Sequence, residues 1–163
     1  MNIVLAGMPG SGKSTVADLL AKHGKTVFDT DALIVEEHGK ISEIFEDFGE
    51  EYFRRLETET VKKLCALDGI VIATGGGCLL KEENVKYLKG VGKIVYLRAR
   101  SETLIKRVQG DTTRPLLAGN IEEQIKRLYK ERAAIYEGAA DIIIDTDGLS
   151  PEQTIQRILR SLK

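Results

Sequence analysis

The strongest constraint on the fold is a glycine-rich segment that directly follows a short apolar run near the amino terminus. The apolar run is Asn2–Ala6, and the segment Gly7–Ser14 has the pattern G-x-x-x-x-G-K-[ST]. Glycines let the chain wrap around a phosphate group with backbone N–H groups pointing inward. A helix that begins at about Lys13 would direct its positive end at the same anion. Strand, loop and helix therefore occur in the order that a nucleoside triphosphate site requires.

Two residue types in this motif have separate tasks. Lys13 can reach the β- and γ-phosphates, and the Ser14 hydroxyl can ligate Mg²⁺. The alternative is a glycine turn that binds nothing, but a Lys-Ser pair at the helix start argues against it. The predicted phosphate-binding residues are Gly10, Ser11, Gly12, Lys13, Ser14 and Thr15.

Length and composition bound the classes of protein that the chain can belong to. With 163 residues, 42% of them hydrophobic and 30% charged, we expect one globular domain over residues 1–163. The formal net charge of −1 provides no overall field that would attract nucleic acid or an anionic membrane. Cys65 and Cys78 lack the spacing of a zinc site, so we interpret them as reduced core thiols. No apolar run approaches 18 residues and no basic leader is apparent, which favours a cytoplasmic protein.

Short Val/Ile-rich runs alternate with helical patterns along the chain. This alternation predicts an α/β fold with a doubly wound, five-stranded parallel sheet, in which ligands bind at the carboxyl ends of the strands. Strands are predicted at Ile3–Ala6, Thr26–Phe28, Ile70–Ala73, Lys93–Leu97 and Asp141–Ile144. Helices are predicted at about Lys13–His23, Asp31–His38, Ser42–Phe48, Glu51–Ala66, Lys81–Lys89, Ser101–Gln109, Ile121–Tyr136 and Ser150–Leu162.

Two acidic residues follow the second predicted strand. In Asp29-Thr30-Asp31, one carboxylate can hold the metal and the other can orient or deprotonate an acceptor hydroxyl. The usual Walker-B acid is missing after Ala73, so Asp29 is the candidate for the metal. An alternative for Asp31 is that it only caps the following helix.

The third predicted strand is followed by Thr74 and three consecutive glycines, Gly75–Gly77. Three glycines in a row carry a large entropic cost, so the run suits a place where a ligand or a second backbone comes very close. Their N–H groups could line a pocket for a polar substrate. A plain flexible turn is the alternative.

Arginines on three predicted helices are further candidates. Arg54 lies three residues before Glu57 and could clamp a substrate carboxylate, although the helix alone favours a surface ion pair. Arg107 could stack on an adenine ring, and stabilisation of a helix C-terminus explains it equally well. For Arg132, pairing at the surface is the more common fate of such a charge.

A long polar segment, residues 110–120, joins two of the predicted helices. It is flanked by glycines and contains Arg114 and Pro115. Such a segment in a phosphate-binding protein suggests a lid whose arginine closes over the γ-phosphate and stabilises the charge in transfer. The alternative is a solvated loop with an idle arginine.

Taken in order, these motifs resemble the shikimate kinase family of nucleoside-monophosphate-kinase-like P-loop proteins. The ordered set is G-x-x-G-S-G-K-S, D-T-D, F-R-x-x-E, G-G-G, R-P-L-L and K-x-R-x-x-x-Y, from Ile3 to about Tyr136. The resemblance implies a monomer that phosphorylates the 3-hydroxyl of shikimate with ATP and Mg²⁺, in the chorismate route to aromatic amino acids.

The resemblance also implies roles for individual residues. Asp29 would support the metal through water, and Asp31 would bind the shikimate hydroxyls and act as base or orienter. Arg54, held by Glu57, and Arg132 would grip the carboxylate. The Gly75–Gly77 amides would meet the ring hydroxyls, and Arg114 would be the lid arginine.

Two departures and two other functions stay open at this point. Ala73 stands where many members have a serine, and no arginine precedes Pro151, which leaves Arg107 and the backbone near Pro151 for adenine. A related kinase could act on a sugar acid or a nucleotide, although a nucleotide acceptor would need more lid arginines. A third hypothesis is a GTP-dependent switch. Such switches commonly select guanine with an N-K-x-D stretch, and the chain has none.

Overall fold

The computed structural model describes residues 1–109 and 120–163, which form a parallel β-sheet with helices on both faces. The strands are β1 (Asn2–Ala6), β2 (Thr26–Asp29), β3 (Ile70–Ala73), β4 (Gly92–Arg98) and β5 (Ile142–Asp145). The helices are α1 (Lys13–Lys22), α2 (Thr30–His38), α3 (Ile41–Phe48), α4 (Glu50–Cys65), α5 (Glu82–Val91), α6 (Ser101–Gln109), α7 (Ile121–Ala139) and α8 (Pro151–Ser161), with a 3₁₀ turn at Cys78–Leu80.

The five strands lie in the order β2-β3-β1-β4-β5, and every neighbouring pair is parallel. β1 is central, and its Leu5 pairs with Ala73 on one side and Val95 on the other. All five residues of β1 and all four of β3 are buried, as expected of continuous apolar runs covered on both faces. β2 and β3 lie on one side of β1, and β4 and β5 lie on the other. The strand order therefore changes direction at β1, which creates the crevice where such sheets bind ligands.

Each face of the sheet has its own hydrophobic core. One contains Val61, Leu88 and Ile125, from α4, α5 and α7. The other contains Leu20 and Ile158, from α1 and α8. The predicted architecture is therefore confirmed, with strand and helix ends within a few residues of those predicted.

Helix α8 begins as the sequence predicts. The Ser150 side chain accepts a hydrogen bond from the N–H of Gln153, and the Gln153 side chain accepts one from the N–H of Ser150. Pro151 is the first helical residue, where its missing N–H costs nothing. This capping box fixes the segment between β5 and α8 beside the glycine-rich loop.

Candidate functional site

The glycine-rich loop connects β1 to α1 at the carboxyl edge of the sheet. Gly10 and Gly12 adopt φ angles of 83° and 95°, which side-chain-bearing residues rarely take. At Gly10 a Cβ atom would also lie 2.9 Å from Cγ2 of Val108. Gly12 is the N-cap of α1, so no side chain of its own occupies the first N–H groups of that helix. The loop thus presents backbone donors and a positive helix end to an anion.

Lys13 begins α1 and lies half-buried above this loop. Its ammonium group donates a hydrogen bond to the carbonyl oxygen of Gly7, and its charge lowers the pKa of Asp31. Lys13 therefore lies between the phosphate loop and the carboxyl end of β2. Ser14 and Thr15 follow it and are exposed to solvent at the same end of the helix.

Asp29 and Asp31 lie at the start of α2, but only Asp29 caps it. Asp29 is the last residue of β2, and its Oδ1 accepts a 3.0 Å hydrogen bond from the N–H of Ala32. The capping role considered for Asp31 is therefore wrong, since the residue with extended backbone at the N-cap is Asp29. Asp31 lies in the first helical turn instead, and its carboxylate faces Gly75.

The pKa of Asp31 depends on three other charged residues of the predicted site. Burial raises the pKa of Asp31, the negative charge of Asp29 raises it further, and the positive charges of Lys13 and Arg54 oppose both effects. A carboxyl group whose pKa is raised toward the working pH is suited to accept a proton from a hydroxyl. The strand order predicted from the sequence places Lys13, Asp29 and Asp31 at the same edge of the sheet, whereas Arg54 was expected here only through the family resemblance.

Each glycine of the triplet Gly75–Gly77 is in contact with a different functional side chain. A Cβ atom on Gly75 would fall 2.4 Å from Oδ1 of Asp31, and one on Gly76 would fall 2.8 Å from Nη1 of Arg132. A Cβ atom on Gly77 would fall 2.4 Å from Nη1 of Arg54. The missing side chains therefore make room for one carboxylate and two guanidinium groups around a single short stretch of backbone.

The amide of Gly75 has a partner that the sequence did not reveal. Its N–H donates a 3.0 Å hydrogen bond to Oγ1 of Thr30, which is fully buried. The expectation that all three amides face a substrate is therefore wrong for Gly75. The role of Gly75 is to admit Asp31 and to tie the triplet to the end of β2.

Arg54 on α4 is held by two carboxylates of its own helix. Its Nη1 lies 3.0 Å from Oε1 of Glu57, and its Nη2 lies 3.3 Å from Oε1 of Glu50. Glu57 is only 1% exposed, so the surface ion pair that the helix pattern favours is wrong. Burial raises the pKa of Glu57, and the adjacent Arg54 guanidinium opposes that effect. The pair is a buried, directed contact that holds Arg54 against Gly77.

Arg132 on α7 reaches the same pocket at the neighbouring glycine, Gly76. Besides its approach to Gly76, its positive charge opposes the rise that burial causes in the pKa of Glu57. The sequence placed Arg132 there only through the family resemblance. Phe45 and Phe53, whose ring centroids lie 5.0 Å apart, belong to a small hydrophobic cluster beneath Arg54, as the core interpretation predicts.

A separate cleft of about 290 Å³ lies on the other side of the phosphate loop. Arg107 and Pro151 both line it, together with Thr15 and Leu149. Arg107 also donates a 3.1 Å hydrogen bond from Nη1 to the carbonyl oxygen of Gly10. The structure thus brings together the two positions that the sequence offered for a nucleotide base. Leu149 also lines the cleft, and nothing in the sequence indicated this except its nearness to Pro151.

A larger surface depression of about 550 Å³ lies at the amino edge of the sheet, near Asp68 and Lys93. It contains none of the predicted site residues. Its position is opposite to the edge where parallel sheets bind ligands.

Some predictions fall on residues outside the described part of the chain. Arg114 and nearly all of the expected lid, residues 110–119, are among them. The described chain resumes at Asn120, whose side chain caps α7 by accepting a 3.2 Å hydrogen bond from the N–H of Glu123. The lid and its arginine remain predictions.

Metal-ligand clusters and membrane-spanning helices are both absent from the described residues. Over residues 1–109 and 120–163, no three His, Cys, Asp or Glu side chains are grouped so that they could hold a metal ion. Within the same ranges, no helix has the length and apolarity needed to cross a membrane.

Comparison with known proteins identifies close similarity over nearly the whole chain. Residues 9–163 match the family model for shikimate kinase. The shikimate kinase of Thermodesulfovibrio yellowstonii is 45% identical over 162 residues, which cover 98% of this chain and 93% of that protein. That of Moorella thermoacetica is 44% identical over 164 residues, covering 99% of this chain and 94% of that protein.

Solved structures show the same relationship. The shikimate kinase of Acinetobacter baumannii, solved in complex with shikimate, superposes with a TM-score of 0.90 at 36% identity and covers 99% of this chain and 92% of its own. The shikimate kinase of Aquifex aeolicus gives a TM-score of 0.84 at 38% identity, covering 99% of this chain and 96% of its own.

Proposed function

The chain belongs to the shikimate kinase family, and we propose that it transfers the γ-phosphoryl group of ATP to the 3-hydroxyl of shikimate. The product would be shikimate 3-phosphate, on the route to chorismate and the aromatic amino acids. The observation that carries this proposal is the meeting of Asp31, Arg54 and Arg132 on the glycine triplet beside the phosphate loop. That pocket combines two guanidinium groups for a carboxylate with one carboxylate for a hydroxyl.

The two arginines would bind the substrate carboxylate from opposite sides. A guanidinium group can form two parallel hydrogen bonds to a carboxylate, which fixes orientation as well as position. Arg54 is oriented in advance by Glu57, so little side-chain freedom remains to be lost on binding. The ring of the substrate would then lie beside the glycine triplet, next to the two guanidinium groups and Asp31.

Asp31 would accept a hydrogen bond from the hydroxyl that attacks the phosphorus atom. Its raised pKa makes the carboxylate a better proton acceptor than an ordinary aspartate, while Lys13 and Arg54 keep the charged form accessible. Phosphoryl transfer depends chiefly on in-line positioning and on stabilisation of charge on the moving group. The loop amides and Lys13 would supply that stabilisation on the phosphate side, joined by Arg114 from the lid.

Mg²⁺ would be held by Ser14 and, through water, by Asp29. The donor set fits a hard cation that prefers oxygen ligands and retains several waters, since Ser14 is exposed at the helix start and Asp29 lies beside Asp31. A cation held there would supply positive charge that offsets the charge of the phosphates. It would also offset the repulsion that Asp29 exerts on Asp31.

The decisive experiment is an assay of ADP release with and without shikimate, with gluconate and nucleoside monophosphates as alternative acceptors. Release that depends on shikimate and on none of the alternatives supports the proposal. Equal or greater transfer to another acceptor would replace it with one of the related kinases, and tight GTP binding without turnover would favour the switch. The monomeric state and the cytoplasmic location stay predictions, and size-exclusion chromatography with light scattering tests the first.

A further inference from the structure

Tyr136 lies directly behind the pocket, on α7, and has not yet been given a function. It is 1% exposed, and its hydroxyl donates a hydrogen bond to the carbonyl oxygen of Gly76. Its ring lies against that of Tyr96 on β4, with the centroids 5.2 Å apart. The phenol is thus fixed at the ring by the sheet and at the oxygen by the middle glycine of the triplet.

The same hydroxyl lies beside Arg132, one helical turn earlier on α7. Burial raises the pKa of Tyr136, and the nearby positive charge of Arg132 opposes this. The side chains of Arg132 and Tyr136 both approach Gly76. A Cβ atom added to Gly76 would fall 2.8 Å from Nη1 of Arg132 and 3.9 Å from the Tyr136 hydroxyl. Arg132, Tyr136 and Gly76 therefore form one contact group.

The two arginines of the pocket are held in different ways. Carboxylates hold Arg54, and they also neutralise its charge. Arg132 has no ion pair with a carboxylate among the residues that the structure describes, and its neighbour is a neutral phenol. A neutral holder fixes the direction of a guanidinium group and leaves its full charge for a ligand.

We propose that Tyr136 is a positioning residue that orients Arg132 over Gly76 and thereby sets the affinity of the pocket for the carboxylate of the substrate. The inference rests on the proposed function. Tyr136 acts through Arg132 and takes no part in the transfer itself. Removal of its hydroxyl should therefore weaken the binding of shikimate and leave the chemical step unchanged.

The test is a steady-state comparison of Tyr136→Phe with Tyr96→Phe. Tyr96 is the matched control because it is as buried as Tyr136 and its ring packs against the ring of Tyr136. Its hydroxyl, in contrast, has no hydrogen-bond partner within the described chain. Tyr136→Phe should raise the KM for shikimate about tenfold, because Arg132 loses the polar neighbour that is anchored to Gly76. Its kcat and its KM for ATP should stay within about twofold of the wild-type values, because Tyr136 acts through Arg132 at Gly76 and not on the phosphate loop. Tyr96→Phe should leave all three values unchanged.

Two further measurements separate positioning from a general loss of structure. Methyl shikimate, whose ester carries no negative charge, should be used equally well by the wild type and by Tyr136→Phe. In an Arg132→Ala background, Tyr136→Phe should have no additional effect on the KM for shikimate.

The results distinguish failure of the Tyr136 inference from failure of the proposed function. An unchanged KM in Tyr136→Phe, or additive effects with Arg132→Ala, would overturn the inference while the wild-type enzyme still phosphorylates shikimate. A wild type without shikimate-dependent turnover would overturn the proposed function itself, and the inference with it.

Discussion

Gly77→Ala is a sharp test of the carboxylate clamp, because it moves Arg54 without altering that residue. Gly77 has φ −98° and ψ 0°, a conformation open to alanine, so the substitution introduces no backbone strain. The new Cβ atom would nevertheless lie 2.4 Å from Nη1 and 2.6 Å from Nη2 of Arg54. Arg54 is a long, partly exposed side chain and can swing away, so the protein should fold with the guanidinium displaced.

The size of the effect follows from the contact distances. Contacts of a Cβ atom below 3.4 Å are rare, so Nη1 must retreat by about 1 Å. A misplacement of about 1 Å in a positioned group can cost up to roughly 10²-fold. We therefore expect the KM for shikimate to rise about 10- to 100-fold, or about 1.4 to 2.7 kcal/mol, with the KM for ATP unchanged.

Stability should change with a characteristic pH dependence. When Arg54 moves away, buried Glu57 loses the cation that opposes the raising of its pKa by burial. The folded-state pKa of Glu57 then rises further above the unfolded value, so the charged form is disfavoured in the folded state. The loss of stability is present above that folded pKa and is relieved as the pH falls through it. The thermal midpoint of Gly77→Ala should therefore drop more at pH 8 than at pH 5.

The assay compares Gly77→Ala with Gly90→Ala, which adds the same methyl group to an exposed position on α5 with nothing within 4 Å. Initial rates are measured over a range of shikimate concentrations at saturating ATP, and thermal midpoints are measured at both pH values. A KM for shikimate within twofold of the wild type in Gly77→Ala would refute the reasoning, because Arg54 could then move freely without consequence for the substrate.

Asp31→Asn should lower kcat by about 10²- to 10⁴-fold, since the acceptor hydroxyl loses its anionic partner. The same variant should have a higher thermal midpoint at pH 7, because burial and Asp29 raise the pKa of Asp31 and its charge therefore opposes folding. The increase in thermal midpoint should shrink as the pH falls through the folded-state pKa of Asp31. A variant with the same thermal midpoint as the wild type at pH 7 would contradict the raised pKa of Asp31. In the wild type, kcat/KM for shikimate should decrease as the pH drops through the raised pKa of Asp31, above the ordinary 3.8, and a pH-rate profile checks this. Arg107→Ala should raise the KM for ATP about 3- to 10-fold, by loss of the contact to Gly10, and spare the KM for shikimate. Lys106→Ala, an exposed neighbour on α6, serves as its control, and equal effects in both variants would contradict a specific role for Arg107.

The sheet and the phosphate loop could be predicted because their determinants are local. The run before Gly7 is apolar without interruption, and the loop pattern fixes the strand before it and the helix after it. The capping box at Ser150 likewise involves residues only three positions apart. Such signals survive in the folded chain because they do not depend on what packs against them.

Glu57 could not be placed correctly, because its burial depends on remote parts of the chain. On α4 alone, Arg54 and Glu57 look like an ordinary surface pair three residues apart. The packing of α2 and α3 against α4, together with the approach of the glycine triplet, excludes water from that face. The bond from the amide of Gly75 to Thr30 was missed for the same reason, since it joins two segments that are 45 residues apart.

The charges around the glycine triplet explain why this pocket suits an anion that carries hydroxyls. Arg54 is paired with Glu57 and Glu50, and Lys13 lies close enough to Asp31 to lower its pKa, whereas Arg132 has no ion pair with a carboxylate among the described residues. Arg132 is therefore the cation of this pocket that is available to an anionic ligand, and its neighbour is a neutral phenol. A substrate carboxylate would compensate its charge, whereas a neutral polyol would leave a partly buried guanidinium uncompensated. Selectivity for an acid over a neutral sugar thus follows from which side chain holds each arginine, and it should weaken when the hydroxyl of Tyr136 is removed.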